Sequence, residues 1–326
     1  MNRIGRRPVV GLALAAVLAV LAGCGSSGAA SGGSSAVTLT LGDQVKGLQT
    51  LLEAAGALNG TPYAVKWAQF QGAAPLFEAV KGGSVDTAVA GDLPTLQAAG
   101  GGVPVKAIAA QHSNGKGATI LAQSDSPVRS VADLRGKEVV VSSARGSIAE
   151  YLLATALKAA GLSYSDVHVR YLLPTDAQAA FSSHKIELWA TFGIYGLIAK
   201  GQGARELVDG GAGRTSGIGL LSASTKALAD PAKRQAISDF VGRLARAVEW
   251  SKSHPEEYVK AYVDSSRVSP DIAKVLIARG TQTLGPLSPD VQQTVQQVAD
   301  TMQQIGSLPN HVDVAAITDT GVYPTS

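Results

Sequence analysis

From residue 37 onward, short apolar runs alternate with helical segments, and this alternation restricts the fold more than any other feature of the chain. Residues 37–41 are a β-branched and apolar run that stops at Gly42, and 65–70, 85–90 and 105–110 read as three more strands. Between them, residues 48–58 and 75–81 have helical spacing. Gly82-Gly83 ends the second of these helices, and Asp92 is placed to cap a third that runs to about Ala99. Such a β-α-β-α-β order predicts a largely parallel sheet covered by helices on both faces.

The pattern restarts near Ser124. Ser130 to Asp133 resembles a capping box before a short helix, and 138–141 is a strand. Ser147 to Glu150 is a second capping box, opening a helix that Gly161 ends. A strand at 167–172, a helix from Thr175 and a strand at 188–192 complete this unit. After one more strand at 218–221 the chain turns helical. Asp230-Pro231, His254-Pro255, Ser269-Pro270 and Ser288-Pro289 each put proline directly after a residue suited to a helix N-cap. Those helices have little strand signal between them, so they are expected to pack back onto the first unit. The predicted organisation is two lobes joined by crossings near 118–123 and 213–222. Lobe one comprises 37–121 plus 219–326, and lobe two comprises 122–218. A cleft between such lobes suits hinge closure around a ligand.

Ahead of the alternating region lies a leader. Residues 9–21 are an apolar run behind Arg3, Arg6 and Arg7, shorter than the ~18–20 residues that span a bilayer, as in an export signal. Leu21-Ala22-Gly23-Cys24 resembles the bacterial lipobox, in which the thiol carries the lipid and cleavage falls just before it. The expectation is a signal peptide over 1–23, lipidation with palmitate-type acyl chains at Cys24, and a Gly/Ser tether over 24–36. The folded body is then held at the outer face of the cell membrane. Arg6-Arg7 lacks the rest of a twin-arginine signal, so general secretion is expected.

The formal charge of +3 and pI near 8.9 belong to this leader: without its three arginines, basic and acidic counts are equal. Nucleic-acid binding loses its usual electrostatic footprint. A single cysteine excludes a disulfide framework and thiolate-rich zinc sites. The five histidines are scattered, with no i,i+4 pair, so neither a metal nor a cofactor is expected. Catalysis finds little support. Ser113–Lys116 and Ser182–Lys185 fit S-x-x-K, but the S-D-N and K-T-G elements are missing, as are G-x-S-x-G and a phosphate loop.

Several stretches resemble solute-binding proteins of ATP-driven importers for aliphatic sulfonates, taurine and nitrate, with thiamine-precursor binders as more distant relatives. They are 42–47 (GDQVKG), 82–94 (GGSVDTAVAGDLP), 126–137 (SPVRSVADLRGK), 160–167 (AGLSYSDV) and 171–181 (YLLPTDAQAAF). The resemblance implies a two-lobed type II periplasmic-binding-protein fold, each lobe a mixed, mainly parallel sheet flanked by helices. It also implies no catalysis, and a monomer that delivers its solute to a permease with a partner ATPase. Over 186–195 the family pattern is altered: Trp189 and Tyr195 stand where expected, Phe192 replaces a tryptophan and Ile194 a proline. That segment lines the cleft in relatives, so a less polar organic tail is expected.

A small anion is best held by convergent amides at helix N-termini with one or two cations. Ser142, Ser143 and Arg145 lie between a strand and a capped helix and make the first candidate cradle. Gly91 and Asp92 form a second loop, with Asp92 equally suited to capping, and Gln44 and Lys46 a third. Trp189, Phe192 and Tyr195 are candidate walls for an apolar tail, although Trp189 suits a strand core equally well. The expected ligand is a small organic anion, foremost an aliphatic sulfonate. The alternatives are nitrate or a neutral heteroaromatic solute stacked on Phe192 and Tyr195, and, from another class, a secreted cleft enzyme.

Overall fold

The computed structural model describes residues 37–324. The export signal, Cys24 and the tether lie outside the described residues. Strands and helices alternate through the first third of the chain: β1 (Thr38–Gln44), α1 (Gly47–Ala54), β2 (Ala64–Phe70), α2 (Ala73–Lys81), β3 (Thr87–Gly91), α3 (Asp92–Gly100) and β4 (Val105–His112). The second unit holds β5 (Ala118–Ala122), β6 (Glu138–Ser142), α4 (Ile148–Ala159), β7 (His168–Leu172), α5 (Pro174–Ser182), β8 (Leu188–Phe192), α6 (Gly193–Gly201) and β9 (Arg205–Asp209). The chain then returns through β10 (Ile218–Ser224), α7 (Thr225–Ala229), α8 (Pro231–Ser253), α9 (Pro255–Ser266), α10 (Pro270–Arg279), β11 (Thr283–Gly285) and α11 (Pro289–Gln304).

Two mixed sheets result, in the orders β11-β4-β10-β3-β1-β2 and β7-β6-β8-β5-β9. Each contains a parallel trio, β3-β1-β2 and β7-β6-β8. Antiparallel pairing enters where a strand arrives from the other unit: β10 lies between β3 and β4, and β5 between β8 and β9. Antiparallel pairing is therefore more prominent than the alternation alone suggests.

Residues 118–122, expected within a crossing, are β5. They run antiparallel to β8 and β9 and are buried on both faces, which explains why every residue but Thr119 is apolar. The crossings instead occupy 113–117 and 210–217. The short strands β9 and β11 and the helix α6 were not expected. All four proline-led helices are present; Asp230, Ser269 and Ser288 cap theirs through side-chain oxygens, whereas His254 does not. The His254 ring instead stacks on Trp250 at 4.9 Å.

Helices cover both faces of each sheet. In the first, Phe240, Val241 and Leu244 of α8 pack with Leu52 of α1 against Leu39 and Leu41. Leu93 and Leu96 of α3 meet Val295, Val298 and Met302 of α11 opposite. In the second sheet β8 alternates strictly. Leu188 and Ala190 face α4, while Trp189 faces α5 and α6 among Phe181, Tyr195 and Ala199.

Candidate functional site

The parallel strands point their carboxyl ends at the gap between the sheets, the edge where ligands bind in open α/β folds. Gln44 ends β1, Gly91 ends β3, Ser142 ends β6 and Phe192 ends β8. A cavity of about 450 Å³ opens there, lined by Gln44, Gly91, Ser143, Arg145 and Phe192 together with residues of α2 and α3. Gly91 also borders neighbouring cavities of about 290 and 380 Å³, so three cavities meet at the end of β3.

The loop at 143–147 is tightly held. Ser143 sits at φ 77° with its N–H bonded to the Leu172 carbonyl at 2.8 Å. A non-glycine residue with that backbone costs energy and is found where the surroundings enforce it, often at binding sites. Ser147 caps α4 by accepting from the Glu150 N–H at 3.2 Å. Glu150 reaches back one residue further than a capping box requires. It accepts from the Gly146 N–H and from the hydroxyls of Tyr164 (2.7 Å) and Tyr171 (2.8 Å). The amides of Ala144 and Arg145, between these anchors, have no hydrogen-bond partner among the described residues.

The helix N-termini around the cleft differ in what fills them. At α1, the buried Asp43 carboxylate accepts from the N–H groups of Leu48 (3.0 Å) and Gln49 (2.9 Å), occupying the position an anion would take. Burial pushes the Asp43 carboxyl up, partly opposed by those bonds. At α3, Asp92 is the first helical residue rather than the N-cap, which is Gly91. Asp92 is fully buried, accepts from the Leu93 N–H at 2.6 Å and takes the Ser216 hydroxyl from the second crossing. Desolvation raises its pKa to about 6. At α2 the N-cap is Gly72, with no side-chain cap, and Ala73 and Ala74 face the cavity. A Cβ on Gly72 would lie 3.0 Å from Ser143 Oγ, so the glycine permits the two lobes to approach there.

The cavity thus gathers Gln44, Gly91, Ser143, Arg145 and Phe192 from among the expected residues, and leaves the others outside its lining. Lys46 is exposed, its N–H bonded to Gln69 Oε1 at 2.9 Å. Asp92 is fully buried in the first turn of α3. Ser142 is fully buried between the Trp189 indole N–H (2.8 Å) and Thr191 Oγ1 (2.9 Å), so its hydroxyl is already partnered. Trp189 is a core residue of the second sheet. Tyr195 is buried beside it, meeting Phe192 edge-on at 6.4 Å, and burial raises its pKa. Arg145 is exposed and donates to the Gly306 carbonyl at 3.1 Å, which spends part of its donor capacity within the protein. The Ser182 hydroxyl donates to Gln202 Oε1 at 2.9 Å, and no metal-binding cluster occurs among the described residues.

The α2 N-terminus was missed. Its readable signal is a glycine before a helix start with no Ser, Thr, Asp or Asn to cap it. Gln97, Phe77 and Ile148, which also line the cavity, read as ordinary helix positions.

A model of the NMT1/THI5-like family matches residues 64–258, more than half of the chain. The chain belongs to this family. A protein of Escherichia coli K12 described as aliphatic sulfonates-binding is 29% identical over 313 residues, covering 94% of this chain and 95% of its own. The alkanesulfonate-binding protein of Xanthomonas axonopodis pv. citri, solved with MOPS bound, superposes with a TM-score of 0.80 at 28% identity, covering 87% of this chain and 98% of that one. The periplasmic aliphatic sulphonate-binding protein of Escherichia coli gives 0.75 at 26%, covering 89% and 94%. A desulfurization enzyme shares the fold at 14% identity and a TM-score of 0.65. The two-lobed periplasmic-binding-protein architecture is thereby established for this NMT1/THI5-like chain.

Proposed function

We propose that this protein is the solute-binding lipoprotein of an ATP-driven importer and that it captures an aliphatic sulfonate. The observation that carries the reading is the uncapped α2 N-terminus at Ala73 and Ala74. It faces the Ser143 hydroxyl and the unpartnered amides of Ala144 and Arg145 across one cavity. Amides converging from two lobes suit the three oxygens of a sulfonate. The walls contributed by Phe77, Ile148 and Phe192 suit a short carbon chain, and the sulfonate-binding relatives support the same class.

Closure follows from the layout. The lobes comprise residues 37–112 plus 218–324, and 118–209. A ligand bridging α2 and the 143–147 loop stabilises the closed arrangement, because only there do both sets of amides reach it. The closed form docks on the permease, and Cys24 holds the protein at the outer membrane face. The protein acts as a monomer without metal or cofactor, and no catalytic step is assigned to it.

Titration of the mature protein by calorimetry with alkanesulfonates, taurine, nitrate and sulfate tests the reading. The expected result is saturable binding of sulfonates well above sulfate; binding of none of them removes the substrate class. Trp189 fluorescence is expected to stay constant on binding, since that ring lies in the second-lobe core.

A further inference from the structure

Both ends of the 143–147 loop are tied to the end of β7. At one end the Ser143 N–H donates to the Leu172 carbonyl at 2.8 Å. At the other, the Gly146 N–H donates to Glu150 Oε2. Glu150 Oε1 in turn accepts from Tyr171 of β7 at 2.8 Å and from Tyr164, in the turn before that strand, at 2.7 Å. Glu150 is fully buried, and these three neutral donors satisfy it. A helix cap needs none of this. Ser147 already caps α4 through its hydroxyl. The Ser147 N–H, the usual partner of a glutamate at this position, goes to the Ala144 carbonyl at 3.1 Å instead. Burial, assisted by the Glu150 charge, pushes both phenols up, Tyr171 to about 12, so both remain donors at neutral pH.

The loop needs such a hold. Ser143 and Gly146 both have left-handed backbones, at φ 77° and 78°, and the open amides of Ala144 and Arg145 lie between them. A serine in that conformation persists only where its surroundings enforce it. Amides that must be ordered when the ligand arrives lose affinity to that ordering, and amides already fixed do not. Glu150 itself lines none of the three cavities described above, so it acts on a solute only through the loop.

We infer that Glu150, held by Tyr164 and Tyr171, is a positioning residue: it locks the 143–147 loop in the conformation that presents the Ala144 and Arg145 amides to the anion. This inference rests on the sulfonate reading above. Without the carboxylate, the Gly146 end of the loop is released from β7 and only the Ser143 end stays tied.

The test measures ethanesulfonate binding by calorimetry on the mature protein, well below the melting transition of each variant. In Glu150→Ala the affinity is expected to fall about tenfold or more. Glu150→Gln is expected to restore it to within about threefold of wild type, because its carbonyl can accept from the Gly146 N–H while its amide donates to a tyrosine hydroxyl. The double variant Tyr164→Phe with Tyr171→Phe keeps both rings and the Gly146 bond, and a loss of about threefold to tenfold is expected. A role confined to helix stability would lower the melting temperature of Glu150→Ala and leave the affinity of the folded protein unchanged, and that result overturns the inference. Tighter binding by both Glu150→Ala and Glu150→Gln overturns it too, since Glu150 would then be a charge opposing the solute and not a support. If Glu150→Ala does not fold, the tyrosine double variant decides alone, and wild-type affinity there overturns the inference. In each of these cases the wild type still binds and the sulfonate reading stands. If the wild type binds neither ethanesulfonate nor the other alkanesulfonates, that reading falls and this inference with it.

Discussion

Helices α1 and α2 both follow a strand of the first sheet and both start near the cleft, yet their N-termini have opposite fates. At α1 the Asp43 carboxylate, which accepts from the N–H groups of Leu48 and Gln49 in the first turn, fills the space with the chain's own negative charge. At α2 the corresponding space is open because Gly72 offers no side chain. Helices α3 and α4 resemble α1 in this respect, with Asp92 at one and Ser147 and Glu150 at the other. A helix N-terminus attracts an anion only when nothing in the protein has already supplied one. Counting helix starts at the cleft thus overstates the number of anion sites, and the decisive variable is the residue at the cap.

Filling the open end should produce the largest change. Ala73→Asp places a carboxylate at the first position of α2, as Asp92 stands at the first position of α3. A fixed negative charge within a few ångströms of a bound sulfonate costs about 2–4 kcal/mol at an intermediate dielectric, a loss of thirtyfold to several hundredfold in affinity. The same change should stabilise the unliganded protein by about 0.5 kcal/mol through the helix dipole. Calorimetry and thermal melts read the two effects separately; undiminished sulfonate binding would place the anion elsewhere.

A carboxylate that fills a buried helix end also carries a pH signature. Asp92 titrates near 6 when folded, against an ordinary value of 3.8, because burial disfavours its charged form. Between those values the folded state holds a proton that the unfolded state has released. Stability therefore falls as pH rises from about 4 to about 6, and is level above. The full effect is on the order of 3 kcal/mol. The groups facing Asp92 are the Ser216 hydroxyl, the Leu93 amide and Tyr151, whose own pKa is pushed up to about 12 by burial and by Asp92. Asp92→Asn keeps the shape and removes the titration. Urea melts should show the variant gaining on the wild type from pH 4 to pH 7, and parallel curves would sink this account.

Asp43→Ala probes the filled end of α1. It leaves the Leu48 and Gln49 amides without their acceptor and should destabilise the fold by about 1–2 kcal/mol, the usual range for a lost N-cap. Because α1 contributes Leu48 and Leu51 to a neighbouring cavity and not to the α2 end, sulfonate affinity should change less than threefold. A collapse of affinity comparable to that of Ala73→Asp would erase the distinction between the two helix ends.

Much of this architecture is legible in the residues. The strand and helix alternation, the capping serines at Ser147, Ser269 and Ser288, and the proline-led helices follow from short-range rules and are present. What escapes is set by long-range packing. The run at 118–122 looks like a connector by position and is a central strand because β8 and β9 flank it. Ser142 looks like a ligand contact by its place at the end of β6. Its hydroxyl is instead taken by Trp189 Nε1, a residue forty-seven positions away in sequence. Alternation along a strand assigns Trp189 to one face or the other, and only the position of α5 and α6 shows that its face is core. Phe192 remains at the cleft because it is the last residue of that strand and escapes this cover.

Arg145 should yield the smallest effect of the series, which sharpens the contrast between fixed amides and a mobile cation. A guanidinium aimed into a dry cradle would supply a charge-assisted bond of ~1.5–3 kcal/mol. Here the side chain is exposed and one of its N–H groups already serves the Gly306 carbonyl at 3.1 Å. Solvent screens what remains of its charge, so its contribution falls toward the ~0–1 kcal/mol of exposed ionic contacts. Arg145→Ala should therefore weaken sulfonate binding less than about fivefold, with a salt dependence close to the wild type's. The backbone amides at 144 and 145 survive the substitution, and they are the groups assigned to the sulfonate. A loss of a hundredfold would instead mean that the guanidinium leaves Gly306 and turns inward when the ligand arrives, and the cradle would then owe its strength to a side chain rather than to the loop that carries it.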